Sequence, residues 1–234
     1  MSHASELQVS VVVPTYCEAE NLPVLVPSIW AALQAAGLRG EVIVVDDDSP
    51  DGTGDVARQL GRTYPVRVAV RRGERGLATA VLAGFAMSDA LVVVVMDADG
   101  SHPVERLDDL IRPVLEDVAD IVVGSRRLPG GAVQDWPWHR RLASWVAGLL
   151  SRNLTELSDP TTGFMAMRRS LLSQLDLDPV GWKIVLEVVF KARGARLLEV
   201  PITFLDRRSG KSKLSWSAQV DFVRHLIRLY RQRA

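Results

Sequence analysis

Asp97 and Asp99 close the apolar run LVVVVM with the motif D-A-D. In an extended backbone residues i and i+2 project to the same side, so two carboxylates separated by the small Ala98 can converge on one point. Hard oxygen ligands of this kind suit a divalent cation such as Mg²⁺ or Mn²⁺. A solvated turn after a core strand would read the same way, so D-x-D gains weight only from what accompanies it. A second acidic group, Asp46-Asp47-Asp48-Ser49, follows another apolar run. A carboxylate there can accept from a ribose hydroxyl or a nucleobase N–H, while Ser49-Pro50-Asp51-Gly52 reverses the chain by Asx-type turn chemistry. Pro14-Thr15-Tyr16, with Glu18 beside it, ends the first apolar run and can pack against a base or simply form a loop.

Positive charge comes from three places. These are Gly124-Ser125-Arg126, Arg140 and Arg141, and the loop Asp206-Arg207-Arg208-Ser209-Gly210-Lys211-Ser212-Lys213. Arg and Lys beside a carboxylate-bound metal make sense if phosphorylated groups enter from both sides of a reaction. Each is equally readable alone as a solvated surface charge.

The elements that must hold these residues follow from periodicity. Strands are predicted over 9–13, 41–45, 66–70, 91–96 and 121–123, and helices over 22–36, 56–60, 77–87 and 103–115. The run at 91–96 has no polar break, as in a strand buried on both faces. Strands alternating with helices at this spacing imply an α/β fold, doubly wound around a mostly parallel central sheet with helices on both faces. Ligands of such sheets bind beyond the carboxyl ends of the strands, where both acidic motifs fall. Further on, PGGAV reads as a flexible loop. A helix follows Asp135 to about residue 152, with Trp138, Leu142, Trp145, Val146, Leu149 and Leu150 on one face. The sequence further predicts a strand over 163–167, a helix over 183–191 and an extended stretch over 196–204. A final helix over 217–233 carries an apolar stripe of Phe222, Val223, Leu226, Ile227 and Tyr230 and a basic face. We expect a flexible N-terminus over 1–8, a domain over 9–216 and a C-terminal amphipathic helix over 217–234.

Composition narrows the classes. Lys plus Arg equals Asp plus Glu at 28 each, without the basic excess usual for a nucleic-acid binder. Cys17 is the only cysteine, so an intramolecular disulfide is impossible and a reducing compartment is expected. The opening MSHASELQ lacks the apolar core of a signal peptide. No apolar run approaches the about 20 residues needed to span a bilayer, so membrane contact is expected to be peripheral. No G-x-G-x-x-G follows the first strand, which disfavours a dinucleotide dehydrogenase.

Taken in order, VSVVVPTYCEAENLP, VVDDDSPDGT, MDADGSHP, GSR, GGAVQDW, DPTTGF, GWKIVLEV and VPITFLDRRSGKSKL resemble the family 2 glycosyltransferases of the GT-A fold. Within them the match is to the dolichol-phosphate and polyprenyl-phosphate mannose synthase branch. The resemblance covers nearly the whole chain and implies a single GT-A (Rossmann-like) domain. It implies that Pro14, Tyr16, Glu18, Val45 and Asp47 hold the nucleotide. On the same resemblance Asp97 and Asp99 would bind the metal, with Ser101 near it and Ala98 touching the nucleotide through its backbone. It further implies that Arg126, Arg207 and Lys213 bind the donor diphosphate and acceptor phosphate and that Asp159 and Trp182 shape the site. Such sequences carry Asn where this chain has Cys17. With no histidine nearby in sequence, Cys17 is not expected to be a nucleophile.

The implied reaction is an inverting displacement that moves mannose from GDP-mannose to a polyprenyl phosphate with Mg²⁺ or Mn²⁺. A phosphate monoester is already anionic near neutral pH, so no general base is required. That suits a chain with only His3, His102, His139 and His225. The lipid acceptor places the protein at the cytoplasmic face of a membrane, held by its two amphipathic helices, with room for a membrane-anchoring partner protein. A UDP-glucose-dependent transferase and a catalytically silent nucleotide-binding module are the alternatives.

Overall fold

The computed structural model describes residues 7–134, 136, 138–178, 183–205 and 216–233. The five predicted strands of the first half form as β1 Val9–Thr15, β2 Gly40–Asp46, β3 Val66–Val70, β4 Val92–Val95 and β5 Ile121–Ser125. Between them lie α1 Leu22–Ala35, α2 Thr53–Leu60, α3 Leu77–Met87 and α4 Leu107–Leu115. The helix predicted from 103 opens on a 3-10 turn, Val104–Arg106, ahead of which Pro103 is extended. The second half supplies β6 Ala132–Val133, α5 Trp138–Ser151, β7 Met165–Arg168, α6 Ile184–Lys191, β8 Leu197–Pro201, β9 Thr203–Phe204 and α7 Trp216–Arg233.

Seven strands form one sheet in the order β3-β2-β1-β4-β7-β5-β8, and β6 pairs with β9 in a separate ribbon. All neighbours in the large sheet run parallel except β7, which is antiparallel to both β4 and β5. Six carboxyl ends therefore share one edge, at Thr15, Asp46, Val70, Val95, Ser125 and Pro201. Because β7 runs the other way, its entry also lies at that edge, and residues 159–164 arrive there rather than at the far side.

Period-2 alternation divides the apolar residues between two layers. Val9, Val11, Val13, Val42, Val44, Val92 and Val94 pack with α1 and α4 residues, whereas Val12, Ile43, Val45, Val93 and Val95 pack with α3 and α6 residues. A third cluster joins Leu154, Leu186 and Phe190 to Phe222, Leu226 and Leu229 of α7. The predicted stripe of α7 is thus divided: Phe222 and Leu226 are buried, while Val223, Ile227 and Tyr230 are exposed. On α5 the predicted stripe faces wholly outward, with Trp138 75% and Trp145 59% exposed.

Of the N-terminus expected to be flexible, residues 1–6 lie outside the described residues. Leu7 and Gln8 are tied to the sheet, through Leu7 O to Leu91 N, Gln8 O to Val92 N and Gln8 N to Arg39 O. Among the described residues no helix is long and apolar enough to cross a membrane.

Candidate active site

At the end of β4 the backbone N–H of Asp97 donates to Nδ1 of His102 at 3.1 Å. That bond fixes the neutral tautomer with its proton on Nε2, 3.9 Å from Oδ2 of Asp97. Burial lowers the pKa of His102, opposed by the charges of Asp97 and Asp99. The imidazole stacks on Phe164 at 5.0 Å and meets the edge of Phe204 at 5.5 Å. Asp99 Oδ1 accepts from Ser101 N at 3.1 Å, which tightens the D-A-D-G-S turn. Gly163 lies against the Asp97 carboxylate so closely that a Cβ there would sit 3.3 Å from Oδ2.

These residues fit a divalent cation. Ser101 is fully buried, and its hydroxyl has no hydrogen-bond partner among the described residues. Asp97 and Asp99 add hard oxygens at the same turn. Among the described residues no group of three or more His, Cys, Asp or Glu could form an all-protein cage. A cation held by one or two carboxylates and completed by substrate phosphates and water needs no such group.

The second half of the site stands on β5 and the entry to β7. Arg126 forms a bidentate pair with Asp159, Nε to Oδ2 at 2.6 Å and Nη2 to Oδ1 at 2.8 Å, and Nη2 also reaches Oγ1 of Thr161 at 2.6 Å. The guanidinium lies 5.0 Å from the Trp136 ring and 5.3 Å from that of Phe204. Burial tends to raise the pKa of Asp159, but its hydrogen bonds and ion pair with Arg126 hold it well below the usual carboxylate range. Leu205 N donates to Ser101 O at 3.1 Å, which ties the end of β9 to the D-A-D-G-S turn. Arg207, Lys213 and Trp182, expected at the site, lie outside the described residues, as does the side chain of Arg140.

The acidic turn after β2 is engaged in structure. Asp46 accepts from Thr15 Oγ1 and from Ser49, and Asp51 accepts from Ala19 N and caps α2 through Thr53. Glu18 N donates to Thr53 Oγ1 and Cys17 N to Ser49 Oγ, so the loops after β1 and β2 are stitched together. Asp47, expected to hold the nucleotide, has both oxygens engaged within the protein, Oδ1 by Arg71 Nε at 2.8 Å and Oδ2 by Gly76 N at 2.8 Å. Tyr16 lies at the same edge under the guanidinium of Arg75 at 4.6 Å. Pro14 and Val45 are buried, and Val45 belongs to the core beneath this edge. Ala98 is buried between the two carboxylates.

Sequence reasoning missed Arg71, Arg75 and Lys183. The run RRGERG follows β3 at the same sheet edge, and that position was the available signal. Lys183 is buried and donates to Thr161 O, and its place in the apolar motif GWKIVLEV was the available signal.

A mostly parallel sheet with the Asp97/Asp99 turn and Arg126 at its carboxyl edge is the architecture of the GT-A class. Residues 10–176 match the family described as Glycosyl transferase family 2, and the chain belongs to that family. It is 42% identical over 227 residues to the dolichol-phosphate mannosyltransferase of Pyrococcus furiosus, covering 95% of this chain and 64% of that protein. It is also 42% identical over 219 residues to the polyprenol monophosphomannose synthase of Mycolicibacterium smegmatis, covering 88% of this chain and 81% of that one. The chain therefore spans less than two thirds of the Pyrococcus relative and most of the mycobacterial one. In fold it resembles glucosyl-3-phosphoglycerate synthase from Mycobacterium tuberculosis in complex with Mn²⁺, UDP and phosphoglyceric acid, with a TM-score of 0.70 and 22% identity over 97% of this chain and 78% of that one. It likewise resembles a mannosyltransferase of Pyrobaculum calidifontis in complex with GDP-Man and Mn²⁺, with a TM-score of 0.63 and 21% identity over 98% and 64%. No finding supports a separate membrane-anchoring protein.

Proposed function

We propose that this protein moves mannose from GDP-mannose to a polyprenyl phosphate at a membrane surface. One observation carries the reading: the Asp97/Asp99 turn and the Arg126–Asp159 pair share one sheet edge, joined through Thr161 and Gly163. The names of the curated relatives support the sugar and the acceptor.

Asp97 and Asp99, with Ser101 beside them, would hold Mg²⁺ or Mn²⁺. The cation would offset charge on the donor diphosphate, as paired substrates with several phosphates require. Arg126 presents a fixed guanidinium toward phosphate, held by Asp159 and shielded by the Trp136 and Phe204 rings. Arg207 and Lys213, which the family resemblance assigns to the donor diphosphate and acceptor phosphate, are proposed to bind them here. Tyr16, Glu18 and the stitched loops after β1 and β2 would receive the nucleoside, with Pro14, Val45 and Ala98 packing beneath. The acceptor phosphate attacks the anomeric carbon from the face opposite the leaving diphosphate, so the configuration inverts. Its oxygen is already anionic, and His102, neutral and hydrogen-bonded to Asp97, is not needed as a base.

The exposed face of α5 suits a lipid acceptor. Trp138, Leu142, Trp145 and Leu149 together present the apolar side of an interfacial helix. The deciding assay offers GDP-mannose or UDP-glucose with polyprenyl phosphate and Mg²⁺ or Mn²⁺, with a chelator control, and counts labelled sugar entering the organic phase. Transfer from GDP-mannose that vanishes with chelator and in Asp99→Ala is the expected result. Transfer from UDP-glucose alone would replace the donor, and uptake of nucleotide without transfer would leave a binding module.

A further inference from the structure

Lys183 has no part in the reaction as described, yet it is only 3% exposed at the threshold of α6. A buried ammonium persists only where charge and hydrogen bonds replace its water. Its Nζ donates to the backbone carbonyl of Thr161. Thr161 is a junction: its hydroxyl accepts from Arg126 Nη2 at 2.6 Å and donates to Asp159 Oδ1 at 2.8 Å. Two residues later Gly163 abuts the Asp97 carboxylate. The segment 159–163 is therefore bounded by the arginine at one end and by the first acid of the D-A-D motif at the other, and Lys183 grips it in the middle. Burial drives the pKa of this lysine well below its ordinary value, with Arg126 adding to the effect and Asp159 and Asp97 opposing it. The Lys183 amine thus lies near the charged groups of both halves of the site.

We propose that Lys183 is a positioning residue that clamps the 159–163 segment and so sets Arg126 and Asp97 together for a metal–nucleoside diphosphate complex. This rests on the function proposed above, in that the complex is the donor's leaving half. Asp97 and Arg126 come from different strands, and neither is bonded to the other. Their spacing is transmitted by one short segment with little regular structure of its own. A bond from outside that segment to its central carbonyl is the simplest way to keep it from shifting.

The test uses the full chain and variants Lys183→Met and Lys183→Gln, the second keeping a donor for the Thr161 carbonyl. Amide exchange over 159–164 should quicken about tenfold in Lys183→Met, the size expected when a buried carbonyl loses its donor, while β1 and β2 stay unchanged. The dissociation constant for GDP with Mn²⁺, measured by calorimetry, should rise about tenfold in the same variant, as when support of a metal site is lost. Lys183→Gln should recover most of the exchange protection. A folded Lys183→Met whose exchange over 159–164 matches the wild type overturns the clamp, and so does faster exchange without any loss of affinity. Equal exchange defects in the Met and Gln variants also count against it. If the wild type takes up no GDP with Mn²⁺, the proposed donor is wrong, and the exchange comparison alone decides the clamp.

Discussion

Arg126 and Asp159 face each other in a two-pronged ion pair, 33 residues apart in sequence, with Asp159 wholly buried. A carboxylate out of water is stable only while its guanidinium partner remains. Replacing Asp159 by Ala should cost roughly 3–5 kcal/mol, as expected when one member of a buried pair is removed. Arg126→Lys keeps the charge but loses the planar fork, so it should fold and yet bind diphosphate poorly. Thermal melts and GDP calorimetry on the two variants separate these effects. The pH dependence follows from the sign of the shift. The folded pKa of Asp159 is depressed, so its contribution is complete above the unfolded value and is lost as pH falls below about 4. Asp159→Asn should flatten that acid limb of the melting curve.

Gly163 carries a second prediction. A methyl group there would stand 3.3 Å from Oδ2 of Asp97 and 3.4 Å from Cε1 of His102, tight enough that the carboxylate must move. Removing a glycine also lowers the entropy of the unfolded chain, so Gly163→Ala should melt within about 1 kcal/mol of the wild type. Mn²⁺ affinity should fall about tenfold, the usual penalty when the surroundings of a metal ligand are altered. Calorimetric titration with Mn²⁺ alone, beside a melt, checks both. Unchanged affinity would remove Asp97 from the metal site.

Much of this arrangement was legible in the sequence. The unbroken valine runs and the turns after them gave the parallel sheet and the edge on which Asp97, Asp99 and Arg126 meet. The direction of β7 was not legible, since 163–167 read as a strand whichever way it ran. That direction alone brings Asp159 and Gly163 to the carboxyl edge. The ribbon of β6 and β9 was hidden because Ala132–Val133 is a strand only by virtue of a partner 71 residues later in the chain. The stripe of α7 misled in part. A helix wedged against α6 and Leu154 buries Phe222, Leu226 and Leu229 and leaves Val223 and Ile227 outside, and periodicity cannot say which edge of a broad stripe wins.

Cys17 has φ of +59°, in the left-handed region where asparagine is tolerated far better than other side chains bearing a Cβ. Its backbone N–H bonds Ser49 Oγ, which holds the residue there. Cys17→Asn should therefore raise stability by about 0.5–1 kcal/mol, by relieving backbone strain. A melt decides the point, and a variant less stable than the wild type would show that the thiol makes a favourable contact at this site.

The outward face of α5 predicts membrane affinity. Trp138, Leu142 and Trp145 are exposed, and burying one such side chain in an apolar phase yields about 1.5–3 kcal/mol. Replacing all three by Ser should abolish flotation with anionic liposomes while sparing transfer to a short, water-soluble polyprenyl phosphate. Unchanged flotation would retire α5 as the contact. Gly148 gives an independent handle, since a Cβ there would collide with the guanidinium of Arg127, which binds the carbonyls of Ser144 and Ser158 and pins the helix to the site.

His225 predicts how α7 answers to pH. It is almost fully buried, and neither ring nitrogen has a hydrogen-bond partner among the described residues. The nearest acid is Glu187 on α6, 3.9 Å away, with Lys191 bonded to its other oxygen. Arg228, one turn along α7, pairs with Asp178. Burial lowers the pKa of His225, Glu187 opposes that shift, and Arg228 and Lys191 add to it. A lowered folded pKa means that the undocked helix takes up the proton first, so docking weakens as pH falls below about 6.5. Trypsin should cut at Arg224 and Arg228 faster at pH 5.5 than at pH 7.5, after correction for the protease's own pH profile on an unfolded peptide. His225→Leu should remove the difference while keeping α7 against Leu186 and Phe190. Equal pH sensitivity in that variant would move the response to another group.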